Sequence, residues 1–179
     1  MLNTYQKYGI LIGAHFPSQK KFFYKLNFLR IIQLKMIDKY TDSYIKEILQ
    51  EVKTIAVIGA SGKSNRDSFV VMKSLLEHGY KVFPVNPNEK DNLILGQLCY
   101  ASMDLIEEPI DMVDIFRASD AVLGVTEEAI TIQAQVIWMQ LDIINYDAEE
   151  LAQEAGLKVV MDRCPKIELN KPYWTSNKN

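Results

Sequence analysis

At 179 residues, with 48% hydrophobic and 24% charged side chains, the chain has the composition of one globular domain and too little length for two. Its net charge of −3 argues against general nucleic-acid binding, and no window reaches the ~20 apolar residues of a membrane span. Two cysteines, Cys99 and Cys164, make no CxxC and no disulfide framework, a usage expected in a reducing cytoplasm.

The average charge hides an asymmetry. Residues 1–35 carry six cations (Lys7, Lys20, Lys21, Lys25, Arg30, Lys35) and no acid, which leaves 14 cations against all 23 acids, a net −9, in residues 36–179. The run "YGILIGAHF" is too short and interrupted for a signal-peptide core. "KKFFYKLNFLRIIQLK" has the basic, acid-free, aromatic character of an organelle-targeting or membrane-surface helix. The plainer reading is adopted: residues 1–35 are a dispensable extension, translated upstream of a start at Met36, and the domain spans 36–179.

From Lys53 onward, apolar runs alternate with amphipathic segments. "TIAVIG" (54–59) reads as a buried strand, and "SFVVMKSLLEHG" (68–79) as a helix with Phe69, Met72, Leu75 and Leu76 on one face and Gly79 at its end. "YKVFPV" (80–85) is a second strand, stopped by the turn-rich "NPNEKDN". "QLCYA" (97–101) reads as a short third strand, "MDLIEE" as a helical turn, "DMVDIF" (111–116) as a fourth strand and "TEEAITIQ" (126–133) as part of a helix. "VIWMQL" (136–141) is a fifth strand. "NYDAEELAQEAG" (145–156) is a helix capped by Asn145 and ended by Gly156, and "LKVVMD" (157–162) is the last strand.

This alternation means βαβ units: an α/β domain with a doubly wound parallel sheet covered on both faces. Such sheets bind ligands at the carboxyl ends of their strands, where the strand order reverses. With the usual order 3-2-1-4-5, that crevice lies between strands one and four, and the loops meeting there carry Lys63, Arg66 and Arg117. In the first loop, "GASGKSNRDS", Gly59 turns the chain off the strand and Gly62 keeps side chains clear of a ligand. Loop and helix-start N–H groups, the hydroxyls of Ser61, Ser64 and Ser68, and the charges of Lys63 and Arg66 then suit a phosphate.

A nicotinamide dinucleotide calls for G-x-G-x-x-G and an acid about 20 residues on. Here the glycines read G-x-x-G, and Asn86 and Pro87 stand where the acid belongs. No P-loop pattern occurs.

The strings "AVIGAS-K-R-S", "GYKVFPVNP", "ILG-CY-S", "VDIFR", "W-QL" and "GLKVVMDRCPKIE" follow one another in an order and spacing that resembles the small single-domain CoA-binding proteins, relatives of the CoA-binding domain of the succinyl-CoA synthetase α-subunit. The resemblance runs from Lys53 to Glu168. It implies a Rossmann-like domain that takes coenzyme A through its ADP part. By this similarity Gly59, Ala60, Ser61, Lys63, Arg66 and Ser68 would hold phosphates, Val85, Asn86 and Pro87 would face the adenosine, and Phe116 and Arg117 would line the crevice. The chain departs from the pattern at Asp142, where "W-QLG" would place a glycine.

The implied partner is small-molecule CoA or an acyl-CoA, with a homo-oligomer allowed. The synthetase relatives use a phosphorylated histidine from a further domain. His15 lies in the extension and His78 at a helix end, so neither has an evident catalytic partner. Cys164 in "DRCPK" reads as a structural thiol despite Arg163 and Lys166 beside it, and Cys99 as core. Asp111 and Asp114 alternate along the fourth strand, which would bring one of them to the site edge, and Trp138 is expected to pack against a helix. The expectation is a CoA-binding module without catalysis. The alternatives are an NAD(P)-dependent oxidoreductase, a CoA-ligase component, and a purely structural Rossmann-like subunit.

Overall fold

Five short, mostly β-branched segments pair in parallel to form the centre of the molecule. They are β1 (Thr54–Ile58), β2 (Lys81–Val85), β5 (Met112–Ile115), β6 (Val136–Met139) and β7 (Lys158–Val160), in the order β2-β1-β5-β6-β7. A separate two-stranded hairpin joins β3 (Leu93–Ile94) to β4 (Gln97–Leu98). This is a computed structural model; it describes residues 39–174, so the readings of residues 1–35 and of His15 fall outside it.

The strand residues alternate between two apolar layers, as the pleat requires. Ile55, Val57, Met112, Trp138 and Val160 face one layer, closed by α1 (Asp42–Glu51), α2 (Asp67–Glu77) and α5 (Pro165–Leu169). Ala56, Val113, Ile115, Ile137, Met139 and Val159 face the other, closed by α3 (Val122–Thr131) and α4 (Tyr146–Glu154). With both faces covered, the strands carry continuous apolar runs. Trp138 is fully buried, and its indole Nε1 donates to the Arg163 carbonyl at 2.7 Å.

Two helices escape the sequence reading. α1 starts where the Thr41 hydroxyl accepts from the Tyr44 N–H at 3.2 Å, and it buries Ile45, Ile48 and Leu49. That i, i+3, i+4 spacing behind a threonine cap is a helix signal, although it precedes the first strand. α5 has only five residues, too few for a periodicity to register.

The expected third strand is mostly not one. Gln97 and Leu98 pair antiparallel with Leu93 and Ile94, and the segment's remaining link to the main sheet is a parallel bridge from Tyr100 to Val85. Tyr100 N–H donates to the Pro84 carbonyl at 2.9 Å, so Pro84 turns its polar backbone side outward from β1. Its missing N–H therefore costs the β1–β2 ladder nothing.

α4 begins as its sequence signs it. Asn145 Oδ1 accepts from the Ala148 N–H at 2.9 Å, while Nδ2 donates to the Ser119 carbonyl at 2.7 Å. Replacing Asn145 by alanine removes both bonds, and the expected loss is about 1–2 kcal/mol in urea unfolding. An unchanged midpoint would refute the capping role.

Candidate functional site

The register decides where the site can be. Ile58 lies level with Val85 on one side and Ile115 on the other, and Ile115 lies level with Met139. The chain therefore leaves four strands at one height, and the loops at 59, 86, 116 and 140 share one rim. The order reverses between β1 and β5, which opens the gap that topology reserves for a ligand.

Gly59 sits at the mouth of this gap with φ +84. A Cβ there would lie 3.1 Å from the Phe116 carbonyl oxygen and 3.2 Å from Arg117 Cδ. The glycine is required twice, by its left-handed backbone and by the close passage of the β5 loop. Gly59 N–H donates to the Val85 carbonyl at 2.9 Å and Ala60 N–H to the same oxygen at 3.4 Å. The corner is thus fastened to the end of β2, with Ala60 fully buried beneath it. Gly62 is different: the nearest atom to its would-be Cβ is Glu89 Oε2 at 3.9 Å, so the protein itself does not demand a glycine there.

Beyond Ala60 the loop folds on itself. Ser61 Oγ accepts from the Lys63 N–H at 3.3 Å, and Arg66 N–H donates to the Lys63 carbonyl at 3.0 Å. Arg66 holds the N-cap position of α2 in extended conformation and makes no side-chain cap bond. Thr41 and Asn145 do cap their helices. The first-turn N–H groups of α2, with the positive end of its dipole, therefore face the loop without a side-chain acceptor from Arg66. Lys63, Arg66 and Arg117 are exposed, whereas Ser68 is buried in the first helical turn. Asp67 and Glu89 place two acids on the same rim.

Asn86 ties the first two loops together. Its Nδ2 donates to the Ala60 carbonyl at 2.7 Å and its Oδ1 accepts from the Asn88 N–H at 3.0 Å. This amide is occupied by the scaffold. Pro87, next along, is exposed, and Val85 is buried.

Neither aspartate of β5's segment reaches the rim, contrary to expectation. Asp111 lies at the opposite edge, where its Oδ2 accepts from Lys53 N–H at 2.7 Å and Thr54 N–H at 3.0 Å, pinning the start of β1. Asp114 is wholly buried; its Oδ1 accepts from Gln140 Nε2 at 2.7 Å. Burial pushes its carboxyl up to about 7, against the lowering effect of the Gln140 bond. The sequence reading missed this pair, because 26 residues separate its members.

Burial likewise pushes both cysteine thiols up, which suits structural rather than nucleophilic roles. Asp142 has φ +63, the left-handed conformation that glycine adopts most easily, and its N–H donates to Asp162 Oδ1 at 2.9 Å. A cavity of about 420 Å³, lined by residues such as Glu51, Gln135 and Lys158, opens at the amino ends of the strands, away from the rim. No described helix is long and apolar enough to cross a membrane.

A parallel sheet wound on both faces, with a glycine corner at its switch point, defines a Rossmann-like α/β domain. Comparison with known proteins narrows the class: residues 53–170 match the CoA binding domain, and the chain belongs to that family. It is 41% identical over 123 residues to an uncharacterized protein, YneT, of Bacillus subtilis (strain 168), covering 69% of this chain and 90% of that protein. A solved structure of a hypothetical protein from Pyrococcus horikoshii OT3 is 45% identical, with a TM-score of 0.69 over 74% of this chain and 92% of that one. The α subunit of an ADP-forming acetate–CoA ligase I from Pyrococcus furiosus is 35% identical over 117 residues. The match covers 63% of this chain but only 24% of that subunit.

Proposed function

We propose that this chain binds coenzyme A, or an acyl-CoA, through its ADP and phosphate part at the carboxyl rim of the sheet, as a binding module with no catalytic step of its own. The observation that carries the reading is the corner at Gly59. There the left-handed backbone of Gly59, the close passage of Phe116 and Arg117, the exposed cations of the adjoining loops and the start of α2 share the carboxyl side of the switch point. Family membership supplies the ligand class.

In this reading, the backbone from Gly59 to Ser61 shapes the phosphate cradle. Lys63, Arg66 and Arg117 neutralise a ligand that carries a pyrophosphate and a further 3′-phosphate, and Ser68 steadies the first turn of α2. Val85, Asn86 and Pro87 form the wall on the adenosine side, with Asn86 acting mainly by holding Ala60 in place. Phe116 closes the floor. NAD suits the rim less well, since Asn86 rather than a carboxylate follows directly on β2, where the adenine ribose would be held. The reading as a CoA-ligase component rests on likeness to a quarter of the ligase subunit's length, and it adds no residue to this site.

Charge-assisted bonds to phosphate contribute about 1.5–3 kcal/mol each, and about 1.4 kcal/mol is tenfold in affinity. Lys63→Ala and Arg66→Ala are each expected to weaken CoA binding by roughly tenfold or more. Calorimetric titration of CoA, dephospho-CoA and NAD against wild type and both variants is the test. NAD binding more tightly than CoA would overturn the proposal.

A further inference from the structure

Asp114 lies in the sheet two residues before the rim begins at Phe116. It is level with Val57 of β1 and Trp138 of β6, and its strand runs on directly into Phe116 and Arg117. Its side chain enters an apolar layer. Gln140, the first residue beyond β6, reaches back to hold its Oδ1 at 2.7 Å, and Gln140 N–H donates to the Ile115 carbonyl at 3.4 Å. Among the described residues, Oδ2 of Asp114 is the one buried side-chain oxygen or nitrogen without a hydrogen-bond partner. A carboxylate so placed is unfavourable, whereas a neutral acid keeps the Gln140 bond and avoids a buried charge.

We propose that Asp114 is a positioning residue for the crevice: as a neutral acid it holds Gln140 and so joins the ends of β5 and β6, and binding of a polyanionic ligand at the rim is coupled to its protonation. This rests on the CoA reading of the rim.

The sign of the coupling follows from charge. Negative phosphates above Asp114 disfavour its anion, so the complex retains the proton more firmly than the free protein does. Affinity then falls as pH rises through the titration of Asp114, which lies near 7 in the free protein. The groups around it do not reverse this. Val57 and Trp138 carry no charge, and Gln140 is neutral. Cys164, ahead of α5, is a thiol that burial pushes up and that the charge of Asp114 raises further. Glu168, on α5, is ion-paired with Lys171 at 2.7 Å. The rim cations Lys63, Arg66 and Arg117 are exposed to solvent.

The ligand's 3′-phosphate also titrates, near pH ~6, but its ionisation strengthens binding to cations and so acts in the opposite direction. Dephospho-CoA removes that contribution. The full-length protein and Asp114→Asn are titrated with CoA and dephospho-CoA from pH 6 to 8.5 in two buffers of different ionisation enthalpy. Wild type is expected to weaken by roughly threefold to tenfold toward dephospho-CoA across this range and to take up a fraction of a proton on binding at pH 7. In Asp114→Asn both effects disappear. Should the variant not fold, carboxyl-¹³C NMR of wild type reads the same coupling, as an upward shift of the Asp114 midpoint when dephospho-CoA is added. Equal pH dependence in both proteins, or an unmoved midpoint with ligand bound, overturns this proposal and leaves the CoA reading intact. No binding of CoA at any pH overturns both.

Discussion

Gly59→Ala is expected to lose nearly all CoA binding while the protein still folds. The methyl group would sit 3.1 Å from the Phe116 carbonyl oxygen and 3.2 Å from Arg117 Cδ, closer than the rim can accept unmoved. One neighbour is backbone anchored to β1 through the Phe116 N–H and the Ile58 carbonyl at 2.9 Å, so it yields little. The Arg117 side chain yields instead, and a cation leaves the crevice. The left-handed backbone adds about 1–2 kcal/mol of strain. Together these predict a stability loss of about 2–3 kcal/mol and an affinity loss of roughly a hundredfold. Gly156→Ala is the control, since it has the same left-handed backbone at φ +86, its Cβ would meet nothing within 4 Å, and it lies beside the amino-end cavity away from the rim. Urea unfolding and CoA titration of both variants check this. Equal behaviour of the two would show that the corner is not the site.

The second large effect is on stability. The carboxyl of Asp114 moves from 3.8 to about 7 on folding, so between those values the native state holds a proton that the unfolded chain releases. Unfolding is then favoured as pH rises: the contribution is intact below pH 4, falls through the interval, and is flat above the folded value. Three units at about 1.4 kcal/mol each give a loss of about 4 kcal/mol. Asp114→Asn cannot ionise, so its stability relative to wild type should rise by about that amount between pH 4 and pH 8. The constant cost of placing the amide nitrogen cancels in this difference. Measurements should stop near pH 8, before the Cys164 thiol contributes. Parallel stability curves would show that Asp114 ionises as freely in the folded protein as in the unfolded chain.

The features legible in the sequence are those written locally. The Gly59 corner, the α2 stop at Gly79 with φ +87, the Asn145 cap and the parallel alternation all follow from residues adjacent in the chain. Family membership was legible too, from short strings kept in order. What was not legible depends on partners far apart. Whether "QLCYA" joined the main sheet depended on what lay outside β2, and only Tyr100 reached it. Asp111 and Asp114 share a segment three residues apart, yet one ends at the lower edge against Lys53 and Thr54 and the other inside against Gln140. Asn86 stands where a dinucleotide fold would place an acid, and its amide is bonded to the Ala60 carbonyl and the Asn88 N–H, partners that its own position in the chain does not announce. Strand ends can be read from the chain, but which side chains remain available at them is set by the neighbouring loops.

The outward turn of Pro84 bears on how such a chain behaves at high concentration. Among the described residues β2 is an edge strand, and an open edge is a template on which another copy can add a strand. At this edge the position of Pro84 offers no donor, its carbonyl is already taken by Tyr100, and the segment carrying Tyr100 lies alongside. The opposite edge, β7, is only three residues long. A sheet blunted at both margins resists growing from molecule to molecule, so self-association of this domain should proceed through its helical faces rather than by continuation of the sheet.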